Sequence, residues 1–222
     1  MPVTKMQLVL FIAYFIGIFS VDAFENLSRR PTTVLTQSST YRFNIASIAN
    51  DGDVQTTEPK CAITVLNPPK AWLQVDFGQP YRINNVKIYP RREGDGPSAW
   101  KQYRFRQFYL DASNSSATQT TTSQRTRCYT DNTTAPDLPP NITDIPCKQT
   151  ARYVIVETTY DAPEDEITGG AILEICEIEV YAKITAGTTY RDFTMQDTLI
   201  PARYIEDNCM FWKDLIEKLK YK

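Results

Sequence analysis

An antiparallel β-sandwich is the fold class that the sequence predicts. Three observations point there. Short runs of alternating apolar and polar residues recur between Pro, Gly, Asn and Asp; Tyr, Val, Ile and Thr crowd those runs; and no helix-length apolar pattern interrupts them before residue 184. The 222 residues are 42% apolar and include 14 Pro, which suits one core with many turns. Lys plus Arg number 24 against 26 Asp plus Glu, a net charge of −2, and His is absent. Without His there are no Ser-His-Asp or Cys-His nucleophiles, no His general base and few routes to a zinc site, so an enzyme is not expected. The acidic balance also disfavours nucleic acid as a partner.

Residues 1–23 read as a secretory signal peptide: Lys5, an apolar run from Leu8 to Phe19, then the small-residue cleavage site Val21-Asp22-Ala23. That run is shorter than the roughly 20 residues a spanning helix needs, and no later segment is apolar enough to cross a bilayer. The product is therefore expected to be secreted and extracellular, with no transmembrane span. Secretion permits glycans at the sequons of Asn26, Asn114, Asn132 and Asn141, and it permits disulfides.

Leu73 to Phe77, Asn85 to Tyr89, Phe108 to Leu110, Tyr153 to Thr159 and Glu174 to Tyr181 read as strands. In the last, Cys176, Ile178 and Val180 fall on one face and Glu177, Glu179 and Tyr181 on the other, which predicts one core face and one wet face. Residues 111–147, rich in Ser, Thr, Asn and Pro, read as a long exposed connection. Spacing alone does not settle how the 5 Cys pair. A Cys128–Cys147 bridge would bracket the polar connection and restrict the unfolded chain by on the order of 3 kcal/mol. Cys61 and Cys176 would then pair, for roughly 4–5 kcal/mol, leaving Cys209 over. Past Lys183, Phe211, Leu215 and Leu219 stand at helical spacing beside Lys213, Glu217, Lys218 and Lys220. A short amphipathic C-terminal helix is expected in the tail 184–222, and with Cys209 it offers a contact for a homo-oligomer.

Two constellations carry chemistry. Asn50-Asp51-Gly52-Asp53 sets two carboxylates in a tight turn, and a Cys61–Cys176 bridge would draw Glu177 toward them. Three converging carboxylates repel unless a cation lies between them, and hard oxygen donors suit Ca2+. The same residues also suit a surface Asx-type turn with Glu177 solvated. The second constellation is basic and aromatic: Tyr89, Arg91, Arg92, Trp100, Lys101, Tyr103, Arg104, Phe105 and Arg106 surround the turn from Glu93 to Pro97. Guanidinium forks donate to paired oxygens and an aromatic ring stacks on a pyranose, so neutral sugar recognition is one expectation. A solvated loop with Trp100 packed at the end of the sandwich is the other.

The segments Glu25-Asn26-Leu27-Ser28, Gln37 to Thr40, Ala49-Asn50-Asp51-Gly52, Cys61, Trp72-Leu73-Gln74-Val75-Asp76-Phe77-Gly78-Gln79, Val86 to Tyr89 and Ile175 to Tyr181 carry, in this order, a resemblance to the fucolectin (F-type lectin) domain. That domain is part of the discoidin-like, galactose-binding-domain-like superfamily. The resemblance covers residues 24–183 and implies an all-β jelly-roll β-sandwich. It also implies a calcium beneath loops that hold a terminal sugar, typically fucose, through one His and two Arg. Asp51, Asp53 and Glu177 fall on side-chain ligands of the cation, and Ile48 and Cys176 on main-chain ones. Arg91 and Arg104 fall on the two sugar arginines. Ile63 stands where the family has its histidine, so one hydrogen bond of the site is missing, a loss of about 1–3 kcal/mol. The vicinal cysteines between the arginines are replaced by an insertion from Glu93 to Tyr103, which holds Trp100 as a stacking wall. The implied partners are cell-surface or microbial glycans. The alternative is an adhesion domain that binds protein or lipid surfaces with a degenerate sugar site.

Overall fold

The structure is a computed structural model and describes residues 23–93, 101–165 and 169–184. The expected signal peptide, apart from Ala23, and the C-terminal helix with Cys209 lie outside the described residues, as does Trp100. Nine strands form among the described residues: β1 (Ala23–Asn26), β2 (Val34–Gln37), β3 (Ala62–Ile63), β4 (Ala71–Pro90), β5 (Phe108–Ser113), β6 (Thr126–Thr130), β7 (Thr143–Pro146), β8 (Thr150–Thr158) and β9 (Glu174–Ile184). All pairings are antiparallel, and no α-helix occurs among the described residues.

The long strand β4 serves both layers of the sandwich. Its first half lies between β2 and β8, continuing through β5 to β6; its second half lies between β9 and β7, and β1 and β3 both pair with β9. The handover falls at Gly78, whose φ of +78° only glycine adopts without strain, and where the β4–β8 register shifts. Leu73, Val75, Val86, Ile88, Leu110, Val154, Val156, Ile178 and Val180 fill the space between the layers. Burying each such side chain contributes about 1.5–3 kcal/mol.

Two expectations from the sequence need correction. Residues 111–147 are not one exposed connection, since they hold the end of β5, β6 and β7, and Asp111, Ala117, Arg125 and Ile145 are buried. Polar edge strands of this kind lack the apolar run by which a strand is recognised. In β9, Ile175 joins Ile178 and Val180 in the main core, whereas Cys176 packs apart with Cys61 and Ile63. A register shift between Tyr89 and Pro90 of β4 interrupts the alternation opposite this segment. Glu177 is consequently buried rather than wet, and Glu174, two positions before Cys176, is buried as well. Both disulfides form, Cys61–Cys176 and Cys128–Cys147.

Candidate functional site

At one end of the second layer, β3, β9 and the end of β4 lie side by side. Ile63 pairs with Glu174 in register, and past β4 the Arg91 N–H donates to the Glu174 carbonyl at 3.2 Å. Cross-strand partners share a face, so the Glu174 carboxylate stands beside Ile63 and along the row of Cys176. The 3-10 turn Gln102–Arg104 brings Arg104 to the same point. Arg91 Nη1 donates to Glu174 Oε1 at 2.9 Å and Arg104 Nη1 donates to that oxygen at 3.0 Å. Ile63, Arg91 and Arg104, three positions that the family resemblance assigns to sugar contact, thus meet at one carboxylate.

Each arginine has further acidic partners. Arg91 Nη2 donates to Glu58 Oε2 at 2.6 Å and Glu93 Oε2 at 2.9 Å. Arg104 grips Asp165 with Nε and Nη2, and Tyr103 donates its hydroxyl to Asp165 at 2.8 Å. The side chains of Arg91 and Arg104 are 5% exposed and that of Glu174 3%. The arginine cluster is therefore a buried ion network at the site, not a solvated loop. Arg106 is also buried but points elsewhere, to Glu164 and the Asp137 carbonyl.

Burial works against the charge of both arginines, but the carboxylates around them hold each guanidinium above its ordinary value. Burial pushes Tyr103 up to about 12, aided by its bond to Asp165. Burial alone would raise Asp165, yet the hydrogen bonds from Arg104 and Tyr103 bring it below the usual carboxylate range. Glu174 is pushed upward by burial against the pull of Arg104 and Arg91. Two buried atoms of the network have no hydrogen-bond partner, Arg91 Nε and Glu174 Oε2. A donor and an acceptor left open in one network are what a hydroxyl group, able to give and take a hydrogen bond, can satisfy.

The expected cation ligands are only partly gathered. Gly52, at φ +88°, donates its N–H to Glu177 Oε2 at 3.2 Å, and Asp51 lies close enough to raise the Glu177 pKa by repulsion. Glu177, 1% exposed, is pushed up to about 7, chiefly by burial, and its Oε1 is buried with no hydrogen-bond partner. The Asp53 carboxylate instead turns to Lys60 Nζ at 2.9 Å, and the Ile48 carbonyl accepts the Asp51 N–H at 3.4 Å. The Arg29 guanidinium stands 3.6 Å from Glu177 Oε1. No group of three or more His, Cys, Asp or Glu side chains is placed to hold a metal among the described residues. The Glu177 oxygen that accepts no hydrogen bond, with the Asp51 charge acting on it, is a hard donor of the kind a divalent cation takes.

Sequence reasoning missed Glu174, Glu58 and Asp165. Glu174 was legible in part, since it lies two positions before a half-cystine on a strand and hence shares its face. Glu58 and Asp165 sit in loops, where no periodicity marks them.

Residues 48–156 match the family model described as "NedA-like, galactose-binding domain". No curated protein matches the chain. Among solved structures, a fucolectin from striped bass (Morone saxatilis) serum is 23% identical with a TM-score of 0.55, and the alignment covers 72% of this chain. The chain spans 48% of that lectin, about half its length. The lectin domain of lectinolysin, solved with Lewis b antigen, is 26% identical with a TM-score of 0.53, over 74% of this chain and all of that one (100%). A chitosan-binding module from a Paenibacillus chitosanase/glucanase is 25% identical with a TM-score of 0.51, over 71% of this chain and 99% of the module. The fold is thus a galactose-binding-like β-sandwich, and residues 48–156 are similar to that domain in sequence as well. The chain's likeness to the lectin domain of lectinolysin agrees with the family that its sequence resembles.

Proposed function

We propose that this chain is a secreted, non-catalytic carbohydrate-binding module for terminal fucose or a related glycan. Arg91 and Arg104 donate to sugar oxygens, and Glu174 orients both. The open pair within the network, Arg91 Nε and Glu174 Oε2, carries the reading. A sugar hydroxyl can accept from the first and donate to the second. The lectin domain of lectinolysin, solved with Lewis b antigen, supports the same class of ligand. Secretion is supported by the apolar N-terminal segment and by two disulfides, which persist in oxidising compartments. Among the described residues no helix is long and apolar enough to cross a membrane. We extend the proposal to a structural Ca2+ held by Glu177 and Asp51, with Asp53 and the main-chain oxygens of Ile48 and Cys176 completing its shell. Glu177 Oε1, buried and accepting no hydrogen bond, is the support for it.

A glycan array probed with calcium-loaded protein tests the reading. Fucosylated hits that free fucose competes away, and that Arg91→Met loses while circular dichroism shows the variant still folded at the assay temperature, are the expected result. A blank array for folded protein removes it. That outcome favours an adhesion domain for protein or lipid surfaces, a second reading that rests on Ile63 in the histidine position and on guanidiniums already engaged by carboxylates.

A further inference from the structure

Arg29 reaches Glu177 from a distant part of the chain, and its base is fixed. It closes the 3-10 turn Leu27–Arg29, in which Leu27 and Ser28 are buried and the Asn26 side chain caps the start by accepting from Ser28 N at 3.1 Å. The Ser28 carbonyl accepts from Asn50 Nδ2 at 2.8 Å, which ties this turn to the acidic turn Asn50-Asp51-Gly52-Asp53. The Arg29 side chain is itself 45% exposed, so it is anchored at one end and free to move at the other.

The guanidinium lies on Gly52. A Cβ at that position would overlap Arg29 Nη1 and Cζ, so the missing side chain leaves the room that the guanidinium fills. From there Nη1 faces Glu177 Oε1 at 3.6 Å, an ion contact longer than a hydrogen bond, while Glu177 Oε2 takes the Gly52 N–H at 3.2 Å. The oxygen that faces the guanidinium is the one that accepts no hydrogen bond. Asp51 and Glu179 repel the Glu177 charge and so favour a metal beside it, and Arg29 is the cation that opposes them.

We infer that Arg29 is a further residue of the cation site: a tethered positive charge, held where a divalent ion would meet Glu177 Oε1, that sets how tightly the ion binds. This rests on the reading of Glu177 as a cation ligand. With a metal at Glu177, Arg29 either stays beside a double charge or swings into solvent and gives up its carboxylate, and both lower the affinity. A single and a double charge about 5 Å apart repel enough, even at the dielectric constant of water, to weaken binding by about tenfold. A guanidinium keeps its charge at every pH a folded protein meets, so the handicap is permanent.

Calorimetric titration of Ca2+ into chelator-stripped wild type, Arg29→Met, Arg29→Lys and Lys148→Met tests the inference, with circular dichroism verifying that each variant is folded at the assay temperature. Arg29→Met keeps a long side chain without the charge and is expected to tighten calcium by about tenfold. Arg29→Lys, which keeps the charge, and Lys148→Met, which removes one beside Asn84, should stay within about threefold of wild type. An Arg29→Met affinity within about threefold of wild type, or weaker, would overturn the role of Arg29. Equal tightening in Arg29→Lys or Lys148→Met would overturn it too, because neither the charge nor its place would then matter. If Glu177→Gln abolishes calcium binding in either case, the cation site stands without Arg29. A wild type and an Arg29→Met chain that both bind no calcium overturn the two readings together.

Discussion

Replacing Glu174 by Leu is the most informative perturbation of this domain. The carboxylate is 3% exposed and accepts from two guanidiniums that are themselves only 5% exposed. Removing one member of a buried ion network strands the charges left behind, at a cost of about 3–5 kcal/mol. Arg91 keeps Glu58 and Glu93, and Arg104 keeps Asp165, so the lower half of that range is expected. For a domain of this size each kcal/mol moves the thermal midpoint by about 2–4 °C, which places the drop near 10 °C. Glu174→Gln retains an acceptor oxygen and should lose about half as much. Thermal unfolding followed by circular dichroism measures both variants. A double-mutant cycle with Arg91→Met should then return a coupling above about 1 kcal/mol. A Glu174→Leu midpoint within about 2 °C of wild type would refute the argument that this carboxylate organises the two arginines.

Two further outcomes follow from the same physics. Glu177, at about 7 in the folded state against an ordinary 4.5, holds a proton that the unfolded chain releases, with Arg29, Asp51 and Glu179 the charges around it. Its contribution is complete below about pH 4.5 and is lost as the pH rises through about 7, so chelated protein should weaken over that window. Asp76, Glu93 and Asp165, held below their ordinary values, act oppositely and only at lower pH. Added Ca2+ should flatten the slope and Glu177→Gln should abolish it; a slope that calcium leaves untouched counts against the cation. Removing the Cys61–Cys176 bridge, which closes a sequence separation of 115, should cost about 4–5 kcal/mol, and removing Cys128–Cys147, separated by 19, about 3 kcal/mol. Denaturant midpoints of the two Cys→Ser pairs measure the difference, and equal losses would contradict the loop-length account.

The strands at Leu73, Val86, Phe108 and Ile178 were legible because apolar side chains repeat there at period two, and that at Val154, buried on both faces, because it is a short run of β-branched residues; both signals act within a few residues of chain. β6 and β7 were not, because edge strands take their stability from a neighbour's backbone and need no apolar signature. The arginines could be singled out as a cluster of one charge, but whether they faced water or each other depended on which carboxylates reached them. Glu58, Asp165 and Glu174 come from three separate segments, and local pattern holds no information about such meetings. The main core strands and the clustering of like charges in this domain are thus written along the chain. The condition of its site, two buried guanidiniums sharing one carboxylate beside an isoleucine, was decided only when distant segments closed around it, since burial and Coulomb attraction depend on distance in space rather than along the sequence.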